Sequence, residues 1–402
     1  MCIVERTEQH VIKKSNKYYS MLKDYCIKSK NLYNHANFLV RRNYMSNKTW
    51  LRYSSLDMIL KADIEYFDYR NMPTAQSAQQ TLRMLDEDWK QFFRLKKSTK
   101  FIKFPKYKKK NHGFIVTLTN QNCKIKDDKL CFPKTFKKFT LNVQCIFKQN
   151  FRNIRQVRIV PKKFNIIMEV VYHIEIPDNK EDNDRYLSID IGVDNLAAIT
   201  NNFGKCPLLI NGKGLKSINQ YYNKKTAHYQ STARKINNLY STNRMIKLAN
   251  KRNAKIKDYM HKVSRYVVNY AEANDVCTVV IGYNKQWKSN LNLGHINNQK
   301  FYYIPFSTLI HQMAYKAEEC GIQIILAEES YTSGTSFLDN EPPTKDFYNK
   351  SRRIYRGLFR SNSGNLINAD VNGSLQIMKK VFPNAFANGI EGVALHPIRV
   401  TV

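Results

Sequence analysis

The chain has 402 residues, and its 66 Lys plus Arg against 32 Asp plus Glu leave a net charge of +34. Such an excess opposes compaction and calls for a polyanionic partner, so nucleic acid is expected. Anionic membranes are the rival partner, but a membrane role is not expected, because no apolar run is long enough to span and no signal peptide is read after Met1.

The length predicts two or three domains, each able to bury a core. The eight cysteines, at positions 2, 26, 123, 131, 145, 206, 277 and 320, form no C-x-x-C pair. They are expected as small buried residues, not as a disulfide framework or a four-cysteine zinc ribbon. The nine histidines show no paired ligand spacing either.

Residues 1–12 read as an extended, half-polar segment, and residues 14–46 and 55–95 as helical. In the second stretch Ala78, Leu82, Leu85, Trp89 and Phe92 recur at spacings of four and three, with Pro73 near the start. That stripe predicts a helical-bundle core. Residues 94–110 hold nine Lys or Arg and no acid, interleaved with Phe101, Phe104 and Tyr107. Cations for phosphates (Lys103, Lys106, Lys108) and rings for bases make this a predicted nucleic-acid contact strip. The alternative is a solvated basic loop whose rings turn inward. From 112 to 177 short alternating segments predict an antiparallel sheet or small barrel. The acidic stretch PDNKEDND, residues 177–184, reads as a linker.

Beyond it, YLSIDIGVDNLAAIT (186–200) reads as an apolar strand carrying Asp190, a turn at Gly192 and a second strand. Residues 213–265 contain fourteen Lys or Arg and a single acid, Asp258, and predict one or two long basic helices on which Leu239, Met245, Leu248, Ile256 and Met260 give an irregular apolar face. CTVVIGYN (277–284) is a buried strand; Phe306, Leu309, Ile310, Met313 and Ala317 mark a helix capped by Gly321. IQIILAEE (322–329) is a further buried strand ending in two carboxylates. In NLINADVNGSLQIMKKV (365–381), Asn368 is an N-cap, and Val371, Leu375, Met378 and Phe382 give one helical face.

This order is that of an RNase H-like α/β domain. An acid on a central strand and a distant acid opening a late helix suit a two-metal phosphodiesterase site, its ions roughly 3.5–4 Å apart. The plainer alternative is a core strand with one tolerated acid, plus an Asp favoured by the helix dipole.

Residues 186–402 resemble the RuvC-like nuclease domain of the TnpB family, RNA-guided endonucleases of insertion sequences related to type V CRISPR effectors. The resemblance rests on SIDIGVDNLAAIT, NGKGLKSINQYYNKK, VVIGYNKQWK, NNQKFYYIPFSTLI, EESYTS, RRIYRGLFR and INADVNGS, in the family's order. Upstream, SKNLYNHANFLVR, the Pro-Thr-Ala helix ending in WKQFF, and FPKYK extend it to nearly the whole chain.

The resemblance implies a fold of α/β plus α+β type: a β-barrel begun by 1–12, a helical recognition domain at 13–98, the rest of the barrel and a linker at 99–184, and the RuvC-like domain at 185–402. It implies a guide RNA from the transposon end, double-stranded target DNA, one protein per RNA and a bacterial cytoplasmic location. Two Mg²⁺ ions, for which Mn²⁺ can substitute, would be held by an Asp-Glu-Asp set. Asp190 and Asp370 sit in its first and third motifs. The second motif departs: Gly282 stands in VVIGYN where most members carry Glu. The EESYTS segment offers a relocated acid, since E-x-x-T-S runs from Glu329 through Thr332 and Ser333. Neighbouring strands about 4.8 Å apart can deliver it to the same cleft, and a Glu restored at 282 would then partly replace it. Glu328 is the competitor, and a dead site is the third alternative.

Many relatives carry a zinc ribbon before the last Asp, but residues 334–369 hold no Cys or His, so the insert at about 332–367 is expected to be zinc-free. The matched motifs add Lys216, Asn219, Lys288, Arg353 and Arg356 as nucleic-acid contacts. Trp287 is either a stacking ring or a brace. Two other classes compete: a nuclease-dead RNA-guided repressor, favoured by Gly282, and a DNA-strand transposase, for which no Tyr nucleophile beside a His pair stands out.

Overall fold

The computed structural model describes residues 2–98, 102–284, 303–355, 357–387 and 396–402. The chain forms two compact units, Met1–Glu175 and Ile176–Val402. Both mix helices with sheets. No described helix is long and apolar enough to cross a membrane.

The first unit opens with β1 (Cys2–Lys13), followed by α1 (Tyr19–Asn47), α2 (Tyr53–Ala62) and α3 (Ala75–Ser98). The expected 55–95 helix is therefore two. Asp63 ends the first by accepting from the backbone of Glu65 and Tyr66, each at 3.0 Å, and Pro73 bars helix before α3. The α3 stripe is buried from Ala78 to Phe92, and fully buried Trp89 donates to Asn37 at 3.0 Å. Six strands follow: β2 (Val116–Thr119), β3 (Lys124–Lys126), β4 (Lys129–Cys131), β5 (Thr140–Asn142), β6 (Phe151–Pro161) and β7 (Asn165–Ile176). They form two open sheets, β1-β7-β6-β2 and β3-β4-β5. The expected single barrel is absent among the described residues; strands of three residues are too short to close the longer sheet on itself.

The second unit contains β8 (Tyr186–Asp190), β9 (Asn195–Asn201), β10 (Leu208–Asn211), α4 (Lys213–Asn237), α5 (Asn243–Ala273), β11 (Thr278–Tyr283), α6 (Phe306–Glu318), β12 (Gln323–Glu328), β13 (Arg353–Tyr355), β14 (Leu358–Arg360), β15 (Leu366–Asn368), α7 (Ala369–Val381) and β16 (Ile398–Val400). Six strands make one sheet in the order β12-β11-β8-β9-β10-β16. β8 runs antiparallel to β9 and parallel to β11, which is parallel to β12.

Strand alternation decides which residues meet which helices. Leu187, Ile189, Val279 and Ile281 join Met260, Val263, Val267 and Leu309 in the main core, on the α5 and α6 side. The intervening residues face α7. Ser188 donates to the Ser374 carbonyl at 2.7 Å, and Val280 and Ala327 pack on Ile377. Asp190 and Gly282, two residues beyond Ser188 and Val280, fall on this same face.

Two further expectations need correction. β12 is an edge strand, and Leu326 is 48% exposed instead of buried, because β11 covers one side only. Leu239 lies in the turn after α4, beside left-handed Asn238, and is exposed.

Candidate active site

Three carboxylates converge where β8, β12 and α7 meet. Asp190 closes β8, paired with Ala198 of β9. Asp370 lies in the first turn of α7, where the Asn368 side chain accepts from the backbone of Asp370 at 3.0 Å and Val371 at 3.2 Å. That cap fixes the helix start. Asn195 of β9 then orients the acid, donating to Asp370 Oδ2 at 2.8 Å.

Glu329 completes the group. The β11–β12 register pairs Gly282 with Ala327, so residue 329 continues the alternation on the α7 side. Its Oε2 lies only 3.2 Å from where a Cβ on Gly282 would stand. The carboxylate from the neighbouring strand thus fills the space above this glycine. Glu328 turns outward at the sheet edge, forms an ion pair with Lys380 at 2.9 Å and accepts from the Ser330 backbone at 3.2 Å. A Glu at 282 is not simply restorable, because its Cβ would meet Ile377 Cδ1 at 2.5 Å.

Desolvation raises the Asp190 pKa well above the usual carboxylate value; the charges of Asp370 and Glu329 raise it further, and the Arg353 guanidinium lowers it. Asp190 is not sealed from solvent, being of intermediate exposure, yet it sits deep among like charges. Arg353 stands 3.5 Å from Asp370 Oδ1. Close packing is enforced by Gly373, where a Cβ would lie 3.0 Å from Asp190 Oδ2. This under-compensated oxygen-only donor set suits a hard divalent cation. Among the described residues no three His, Cys, Asp or Glu are drawn together as a ready-made metal cluster.

Residues 169–288 match the family model OrfB_IS605, described as a probable transposase, and residues 306–377 match the Cas12f1-like TNB domain. The two matches span 120 and 72 of the 402 residues, and both agree with the TnpB-like resemblance of the sequence. Asp190 falls in the first match, and Glu329 and Asp370 in the second. No curated protein matches the chain. Among solved structures it is similar to a chain of a Cas12f1–sgRNA–target DNA complex, with 16% identity over 92% of this chain and 98% of that one and a TM-score of 0.38. A CRISPR-Cas12f ternary complex gives 14% identity over 89% and 80%, with a TM-score of 0.40. The mini-RNA-guided endonuclease CRISPR-Cas_phi3 gives 9% over 97% and 93%, with a TM-score of 0.46.

The basic strip is anchored by α1. Asn37 and Arg41 donate to the Pro105 carbonyl, and Asn34 exchanges two hydrogen bonds with Lys108, at 3.0 and 2.8 Å. Phe104 turns inward onto Trp89 and Phe92, and the Arg41 guanidinium stacks on Tyr107 at 4.3 Å. Lys108 is drawn in as well, 4.1 Å from the Tyr33 ring and 3.6 Å from Asp88. Lys103, Lys106 and Tyr107 remain exposed. The same unit has a cavity of about 680 Å³ lined by Lys17, Tyr18, Tyr25, Lys28 and Lys137; it lacks the carboxylate set.

In the second unit Lys216 is paired with Asp194. Asn219 is buried and accepts from Arg252 Nε at 2.8 Å, which makes it a brace between α4 and α5 and not a surface contact. Lys288, Arg356, Phe101 and Trp287 lie outside the described residues. Sequence reasoning missed Asn195, Gly373 and Ile377, whose roles depend on tertiary neighbours. It also missed the buried Glu341.

Proposed function

We propose that this TnpB-like protein is an RNA-guided DNA endonuclease with an RNase H-like, RuvC-type catalytic domain in residues 185–402. The observation that carries this reading is the Glu329 carboxylate above Gly282, facing Asp190 beside Asp370. A chain that had lost its second acid at 282 without relocation would leave Asp190 and Asp370 with no third ligand. The excess of cations supports a guide RNA and a DNA target, with base pairing supplying specificity.

Asp190, Glu329 and Asp370 would hold Mg²⁺ ions. When bound, these ions activate water and stabilise the leaving oxygen of the phosphodiester. Asn195 holds Asp370 in place through its 2.8 Å hydrogen bond. Gly373 admits α7 close to Asp190, and Ile377 supports the face on which Glu329 lies. The insert brings Arg353 to the rim of the group, where a guanidinium suits a phosphate oxygen. Lys103 and Lys106, exposed on the anchored strip, would contact nucleic-acid backbone.

The test uses purified protein with its RNA and a matched DNA duplex, in Mg²⁺ and in EDTA. Cleavage should require the ion. Glu329→Gln should lower it by at least about a hundredfold, no less than losing a group that merely supports a ligand, while guided binding persists. Glu328→Gln should cleave at close to the unmodified rate. Tight guided binding without cleavage by the unmodified protein would instead establish the repressor.

A further inference from the structure

The insert between β12 and α7 is organised around one buried acid. Glu341 is 7% exposed. Its Oε2 accepts from the Ser336 backbone at 2.8 Å and from Arg352 Nη1 at 2.6 Å, and its Oε1 accepts from Asn362 Nδ2 at 3.0 Å. The Glu341 carbonyl accepts from Gln376 of α7 at 3.1 Å and from Lys379 at 3.3 Å. One residue therefore ties three points of the insert to the helix that carries Asp370. Burial opposes its ionisation, but the bonds from Arg352 and Ser336 outweigh that and hold its pKa below the usual value.

The consequence for the site lies one residue further on. Arg352 is only 16% exposed and locked to Glu341. Arg353 begins β13, pairs across to Phe359, and places its guanidinium 3.5 Å from Asp370. Its own side chain has no comparable clamp: it is 38% exposed. The direction in which Arg353 leaves the backbone is thus set by its own pairing with Phe359 and by the anchored Arg352 before it. The α7 side of the insert is fixed independently, since Asn372 donates to the Thr335 carbonyl at 2.8 Å and accepts from the Phe337 backbone at 3.0 Å.

We propose that Glu341 is a positioning residue of the carboxylate site: by anchoring Arg352 it fixes Arg353 against Asp370, where the guanidinium competes with a divalent cation for the acids. This rests on the reading of Asp190, Glu329 and Asp370 as a cation site. Divalent-ion binding must then displace Arg353, freeing it for a phosphate. The Glu341 network sets how strongly the insert opposes loading.

The experiment measures Mn²⁺ affinity of the full-length protein by titration calorimetry, without nucleic acid. Arg353→Gln should tighten binding by about two- to fivefold, the worth of a half-exposed ion pair. Glu341→Gln should tighten it in the same direction, and should add nothing in the Arg353→Gln background. If Glu341→Gln fails to fold, Arg352→Lys serves the same test, because it keeps the charge but loses the guanidinium fork. An unchanged affinity in the folded variant, or a Glu341 effect that persists without Arg353, overturns the proposal. Asp190→Asn is the control. If the unmodified protein binds no Mn²⁺, the cation-site reading fails and takes the proposal with it. If it binds, and Asp190→Asn abolishes binding, a silent Glu341→Gln sinks only the positioning role.

Discussion

Gly282→Ala is the most informative single change, because it adds one carbon beside both Glu329 and Ile377. The new Cβ would stand 2.5 Å from Ile377 Cδ1, 3.4 Å from its Cγ1 and 3.2 Å from Glu329 Oε2. Carbon atoms pack at about 3.5–4.0 Å, so the Ile377 tip must retreat by roughly 1 Å. That shift has to be made inside the core, since Ile377 is 1% exposed and packs against Val280 and Ala327. Overpacking of this kind costs about 1–3 kcal/mol. Ile377→Val removes the clashing atom and alone should cost about 0.5–1.5 kcal/mol. The double variant should then be more stable than the sum of the two, with a coupling of about 1 kcal/mol. Urea unfolding gives the stabilities, and guided cleavage on the same samples reports Glu329, which the new Cβ pushes aside. For the same reason Gly282→Glu should not rescue Glu329→Gln unless Ile377 is also shortened. Strict additivity, or a Gly282→Glu, Glu329→Gln protein that cleaves normally with Ile377 intact, refutes this packing argument.

Two further outcomes follow from charges away from the acids. Lys316 is 4% exposed, donates to the His261 carbonyl at 2.9 Å, and is depressed by burial and then by Arg265 to a pKa of about 8. Its folded pKa lies below the ordinary 10.5, so the unfolded chain binds more protons between the two values. Its contribution to stability should accordingly rise with pH across that window and fall away as pH drops through about 8, a difference on the order of 3 kcal/mol. Melting curves of the unmodified protein and Lys316→Met should diverge in slope there; parallel pH profiles would contradict it. On the basic strip, Lys103→Ala with Lys106→Ala should flatten the salt dependence of RNA binding by about 0.7 per lost single-strand phosphate contact, whereas Lys108→Ala should leave the slope alone and lower the melting temperature. A salt slope unaffected by the double change would show these lysines to be solvated.

The parts of this architecture legible in the sequence are those decided by local pattern. The stripe from Ala78 to Phe92 has helical period, Asn368 carries the short polar side chain of an N-cap, and the apolar run before Asp190 reads as a strand because its length and turn fit nothing else. Local pattern fails where a distant partner decides. Lys103 and Lys108 look alike in a run of cations, yet Asn34 takes the backbone of one and leaves the other outside. IQIILAEE is as apolar as a central strand and lies at an edge, because nothing in six residues tells how many neighbours a strand has.

The relation between Gly282 and Glu329 shows what the pairing adds. Read along the chain, Gly282 is a loss and Glu329 an ordinary polar strand end. Once Gly282 pairs with Ala327, the alternation brings residue 329 to the α7 face, two steps beyond the paired alanine. The space beneath α7 is already limited by Ile377, so a side chain at 282 and a carboxylate from 329 cannot both occupy it without repacking. The glycine and the glutamate are therefore two halves of one steric arrangement. A change at either position has to be judged against the other, and Ile377 is the residue through which they are coupled.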